Sequence, residues 1–153
     1  MAKQDFPPIF SAGIHSLTID DFESRVVMPF PSDLRRIALF QSFLTWINEL
    51  KILGITGEIW VDGSYITEKP NPDDIDLYFF NARMSRQLNV TESKQLEKLI
   101  DHDEVRVKFS LDLYLETPAP YNSSPLDQKA YWSGLFGFQH DRSKAKGFAE
   151  LII

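Results

Sequence analysis

The stretch Gly63–Phe80, "GSYITEKPNPDDIDLYFF", decides how this sequence reads. It opens on a glycine and a serine, is stiffened by Pro70 and Pro72, and closes on Asp74-Ile75-Asp76 at the head of an apolar run. Carboxylates are costly in a buried strand unless a charge or hydrogen-bond partner meets them. Side chains alternate along a strand, so Asp74 and Asp76 share one face, roughly 6–7 Å apart along the backbone. Ile75, Leu77 and Phe79 take the other face, where helices can cover them.

The flanking sequence supplies a frame for that strand. Upstream, "EIWVDG" reads as a short strand running into Gly63. Before it, Leu34, Ile37, Ala38, Phe43, Leu44, Ile47 and Leu50 recur at helical spacing, with Ser32 as the expected N-cap and Asp33 in the first turn. Phe40, Phe43, Trp46 and Ile47 read as core, and Arg35 and Arg36 as decoration on the exposed side. Downstream, Thr91 is placed to cap a second helix with Leu96, Leu99 and Ile100 on its apolar face. "VRVKFSLDLYLE", residues 105–116, has period-2 alternation, with Asp112 on its polar side, and predicts one long strand. After the loop "TPAPYNSSP" come a short helical piece with Tyr131 and Trp132, a charged turn, and a final strand, "FAELII". The expectation is an α/β (α+β) fold: a small mixed sheet with helices on one face. Residues 1–31, punctuated by prolines, read as an irregular N-terminal arm, and 32–153 as a single domain.

Composition narrows the classes. The 153 residues suffice for one domain with a sizeable core, and 43% hydrophobic with 25% charged content is that of an ordinary soluble protein. No run of about 18 apolar residues is present to cross a bilayer, and the first residues lack a secretory apolar segment. Cysteine is absent, which excludes disulfides and zinc–thiolate sites; a cytoplasmic location fits. A net charge of −6 disfavours broad nucleic-acid binding.

If the 105–116 strand lies beside that of Asp76, three carboxylates converge. They repel one another, and without a cation at least one holds a proton. Hard carboxylate ligands suit Mg²⁺ or Mn²⁺, which commonly arrives with substrate phosphates. Gly63 lets backbone approach a phosphate closely, a following helical turn would aim N–H groups at it, and Ser64 adds a hydroxyl. Lys69 offers a point charge, although a surface lysine is the commoner role. His15, His102 and His140 have no metal-ligand spacing. Arg142, Lys144 and Lys146 read as a solvated turn, with a triphosphate clamp as the alternative.

At "WVDGS", "DDID" and "SLDLY" the sequence resembles the nucleotidyltransferase superfamily of DNA polymerase beta, in particular its minimal single-domain branch. The resemblance covers Glu58 to Glu116. It implies a nucleotidyltransferase fold, metal-ligand and catalytic roles for Asp74, Asp76 and Asp112, and phosphate contacts from Gly63 and Ser64. Tyr65 and Ile66 depart from it, standing where minimal members commonly carry a basic and a small residue. The activity implied is metal-dependent transfer of a nucleoside monophosphate from a nucleoside triphosphate, ATP first, to an acceptor hydroxyl. The branch often works in toxin–antitoxin or phage-defence operons, which points to a partner protein as acceptor. The alternative is a catalytically silent module on the same fold that binds a nucleotide or a toxin.

Overall fold

A computed structural model describes residues 4–115 and 147–153. The elements are β1 (Gly13–Leu17), α1 (Ile19–Val26), α2 (Leu34–Ile52), β2 (Ile55–Asp62), a 3₁₀ turn (Gly63–Ile66), β3 (Ile75–Met84), α3 (Val90–Ile100), α4 (His102–Phe109), β4 (Leu111–Leu115) and β5 (Gly147–Ile152). The strands form one mixed sheet in the order β1-β5-β2-β3-β4. The outer pairs, β1 with β5 and β3 with β4, are parallel, and the inner pairs are antiparallel. The chain is therefore α/β, with a mixed sheet as expected.

Helix ends follow from local chemistry. Thr18 caps α1 by accepting from the Asp21 N–H, and Asp33, rather than Ser32, caps α2 by accepting from the Arg36 N–H at 3.0 Å. Gly54, at φ +74°, turns the chain out of α2 into β2. Asn89 and Glu92 make a reciprocal capping box on α3. Three of these helices meet at α2. Phe22 of α1 stacks on Phe40, the Trp46 indole donates to the Leu99 carbonyl of α3 at 2.9 Å, and Glu49 pairs with Lys108 of α4.

The sheet has two unlike faces. Ile75, Leu77 and Phe79 are buried toward the helices, with Phe79 edge-on to Trp46. The opposite face carries Phe148, Trp60, Phe80 and Tyr78, all buried and joined in that order by ring contacts. Asp62, Asp76 and Asp112 continue that second face at one end.

The α3 cap is likewise Asn89 rather than Thr91, which lies inside the helix, and three larger expectations are corrected. Residues 13–26, read as irregular arm, form β1 and α1, and Phe22 and Val26 lie in the core. The single strand over 105–116 divides: 102–109 is helix and only Leu111–Leu115 is strand. Val105 and Phe109 also stand at i and i+4, a helical pair that burial satisfies, whereas Val107 is 88% exposed. Between them Ser110 adopts left-handed backbone (φ 56°), donates its N–H to the Arg106 carbonyl, and accepts from Ile75 of β3. The helix thus passes into β4 with no intervening loop. Finally, Arg36 is not surface decoration but is fully buried. Tyr131, Trp132, His140, Arg142, Lys144 and Lys146 lie outside the described residues. Among the described residues no helix is long and apolar enough to cross a membrane.

Candidate functional site

Strand register builds the site. β2, β3 and β4 lie side by side with Asp62 opposite Asp76 and Asp76 opposite Asp112, so three aspartates form a row across the sheet. Asp74 stands one residue before β3. One carboxylate oxygen from each of Asp74, Asp76 and Asp112 lies within 4.8 Å of the others, a spacing suited to a shared cation. The structure brings together the three acids singled out from sequence.

Gly63 is fitted against this cluster. Its φ is +75°, and a Cβ added there would fall 1.7 Å from Asp76 Oδ2, so any side chain would displace the carboxylate. Ser64 continues into the 3₁₀ turn, its carbonyl accepting from the N–H and hydroxyl of Thr67. Tyr65 and Ile66, the two departures from the nucleotidyltransferase pattern, are core residues: the Tyr65 ring stacks with Phe22 and its hydroxyl donates to the Arg36 carbonyl. Lys69 is drawn to Asp73, at 3.4 Å, rather than to the aspartate row.

Behind this loop lies Arg36. Its guanidinium donates to the carbonyls of Val26, Tyr65, Thr67 (2.8 Å) and Lys69 (2.8 Å) and faces Asp33 at 3.6 Å. It also lies over the rings of Phe30 and Tyr65. One fork-shaped cation thereby ties α2 and the end of α1 to the segment after the Gly-Ser turn. Desolvation lowers its pKa from the usual value, opposed by Tyr65 and Asp33.

On the other side, α4 supplies cations. His102 Nε2 lies 2.7 Å from Asp112 Oδ1. Arg106, one turn later, reaches Asp112 at 3.6 Å and Asp74 at 3.9 Å. The Tyr114 hydroxyl donates to Asp112 Oδ2 at 3.1 Å. Asp62, His102, Arg106 and Tyr114 were not found by sequence reasoning. The signal for His102 and Arg106 is their i, i+4 spacing, visible only once 102–109 is read as helix.

These contacts separate the carboxyls electrostatically. Burial, then the Asp74 charge, the hydrogen bond to Asp112 and the charges of Asp112 and Asp62 push Asp76 up to about 7. Burial also works to raise Asp112, but hydrogen bonds from His102, Asp76 and Tyr114, with the Arg106 charge, hold it below its usual value. Asp76 is thus the neutral acid and Asp112 the carboxylate that accepts from it. The hydrogen bond that His102 donates to Asp112, and then its contact with Asp103, raise the His102 pKa.

A pH dependence follows. The folded chain keeps the Asp76 proton up to about pH 7, whereas an unperturbed carboxyl releases it near 3.8. Between those values the folded state binds more protons, so this group makes stability fall as pH rises, levelling off above about 7. Urea unfolding in chelator is expected to give lower stability at about pH 8 than at about pH 5. Equal stability at both would show that Asp76 is not held neutral.

No curated protein and no solved structure matches the chain. One family model, that of a family of unknown function designated DUF6932, matches residues 4–152, so the whole described site lies within its span. With nearly its full length matched, the chain belongs to the DUF6932 family.

Proposed function

We propose that this protein is a metal-dependent nucleotidyltransferase, moving a nucleoside monophosphate, AMP first, from a nucleoside triphosphate to an acceptor hydroxyl. The observation that carries this reading is the meeting of Asp74, Asp76 and Asp112 beside the Gly63–Ser64 turn. The donor set is all carboxylate oxygen, which fits Mg²⁺ or Mn²⁺. Burial and the Asp74 charge, which push Asp76 up to about 7, show that the clustered acids repel one another, a repulsion that a bound cation would relieve. Asp74, Asp76 and Asp112 would hold it, and when bound it neutralises phosphate charge and makes the attacking hydroxyl more acidic.

The chain's own residues supply the rest. Asp112, held below its usual pKa by hydrogen bonds from His102 and Tyr114, accepts the proton of the acceptor hydroxyl. The acceptor oxygen forms a bond to the α-phosphorus as the bond from that phosphorus to the α,β-bridging oxygen breaks, and pyrophosphate leaves. Gly63 and Ser64 offer close backbone approach and a hydroxyl to the phosphates, and Lys69 a charge if released from Asp73. The acceptor class favoured by the sequence resemblance is a tyrosine or serine of a partner protein, in a toxin–antitoxin or phage-defence setting.

A second reading, a silent nucleotide- or partner-binding module, is favoured by one set of contacts. Tyr65 and Ile66 are committed to the core, and His102 and Arg106 already offset the acids without a metal. The two separate on incubation with α-labelled ATP, CTP, GTP and UTP, Mn²⁺ or Mg²⁺, and total cell protein and RNA. Label in a protein or RNA band is the expected result. Metal–nucleotide binding with no label under any condition would establish the binding module instead.

A further inference from the structure

Arg106 is the one cation among the described residues that reaches both Asp74 and Asp112. Its guanidinium spans acids from two different strands, at 3.9 and 3.6 Å, and so lies where the charge of a shared cation would also act. It is held there loosely. The side chain is 55% exposed and both distances are long for hydrogen-bonded pairs, so little free energy opposes its rotation into solvent. Arg35, Arg36 and Arg86, by contrast, each donate to a backbone carbonyl within 3.0 Å, those of Asp73, Thr67 and Ile52.

Resting on the nucleotidyltransferase reading above, we infer that Arg106 is an exchangeable counter-ion of the acidic site: it neutralises Asp74 and Asp112 when no metal is bound, and turns to the substrate's phosphates when metal and nucleotide enter. A dication brought to the carboxylates repels the guanidinium. The triphosphate that accompanies it offers a bidentate anionic partner that arginine's planar fork matches. The substrate class specified is a metal-complexed polyphosphate rather than a neutral ligand. His102 stays on Asp112 as a positioning contact, since its 2.7 Å hydrogen bond reaches one acid of the row only and its other ring nitrogen is turned to the exposed Asp103 at 3.2 Å.

Exchange has a signature that a purely structural arginine lacks: opposite signs for metal alone and for metal with nucleotide. Arg106→Gln removes the competing charge, so Mn²⁺ alone, followed by electron paramagnetic resonance of the free ion, is expected to bind about three- to tenfold tighter. The Mn²⁺ complex of a non-hydrolysable α,β-methylene ATP analogue, followed by calorimetry, is expected to bind about tenfold or more weakly. Arg106→Lys, which keeps the charge without the fork, should leave Mn²⁺ affinity near wild type and weaken the analogue. Unchanged or weaker Mn²⁺ binding by Arg106→Gln, with wild type binding the ion normally, overturns the exchange role and leaves the metal site standing. Absence of Mn²⁺ binding by wild type and variant alike overturns the metal site together with it.

Discussion

Replacing Arg36 with methionine is expected to destabilise the protein by about 3–5 kcal/mol, a large share of the stability of a domain this size. The side chain is fully buried and donates to the carbonyls of Val26, Tyr65, Thr67 and Lys69. Methionine fills much of the volume but donates nothing, leaving those acceptors and the Asp33 carboxylate uncompensated. Arg36→Lys is expected to recover only part of the loss, because an ammonium lacks the planar fork that reaches several carbonyls at once. Urea unfolding measures both variants. A methionine variant within about 1 kcal/mol of wild type would mean that the clasp does not hold the loop. Because three of the four carbonyls follow the Gly63–Ser64 turn, loosening of that turn should accompany the loss, seen as faster amide exchange at residues 63–69.

Asp76→Asn is expected to act in two directions at once. The asparagine amide can donate to Asp112 as protonated Asp76 does, and it removes a carboxyl pushed up to about 7 by burial and its acidic neighbours. Metal-free protein above about pH 7 should therefore gain roughly 1–3 kcal/mol. On the proposed nucleotidyltransferase reading, nucleotide transfer should fall to background, since the proposed central ligand of the row is gone. Wild type should be stabilised by Mg²⁺ or Mn²⁺ by about 2.7 kcal/mol at a hundredfold excess over the dissociation constant. The variant should gain far less. Thermal melts with and without metal, together with the labelling assay, give the full pattern. A variant that is destabilised without metal and still stabilised by it would show that Asp76 is not a ligand.

The acids were legible because their positions follow from two simple periodicities. Asp74 and Asp76 alternate with Ile75 and Leu77, and Asp112 alternates with Leu111 and Leu113, so each had to leave the apolar layer. Asp62 obeys the same rule at the end of β2, but a single acid at a strand end is too common to stand out. His102 and Arg106 were hidden by an ambiguity: Val105, Val107 and Phe109 alternate like a strand, while Val105 and Phe109 also fit one helical face. The deciding signals are at the helix start, where Asp101 caps and Asp103 and Glu104 occupy the first turn. β1 escaped notice because its partner is non-local. It pairs Gly13 with Gly147, and its own residues carry little apolar pattern. Arg36 was misplaced because an arginine on a helix is by default solvated, and only the fold brings four carbonyls to it.

The left-handed Ser110 corner joins α4 to β4 without slack. Counted along the chain, the distance from Arg106 to Asp112 behaves as a fixed gauge rather than a tether. One residue added at this corner would turn Asp112 into the apolar layer and bring Leu111 out among the acids. One residue removed would also turn Asp112 inward, with Leu113 brought out in its place. This joint therefore does not tolerate a change of length, and the cationic helix and the acidic strand can only be inherited as one piece.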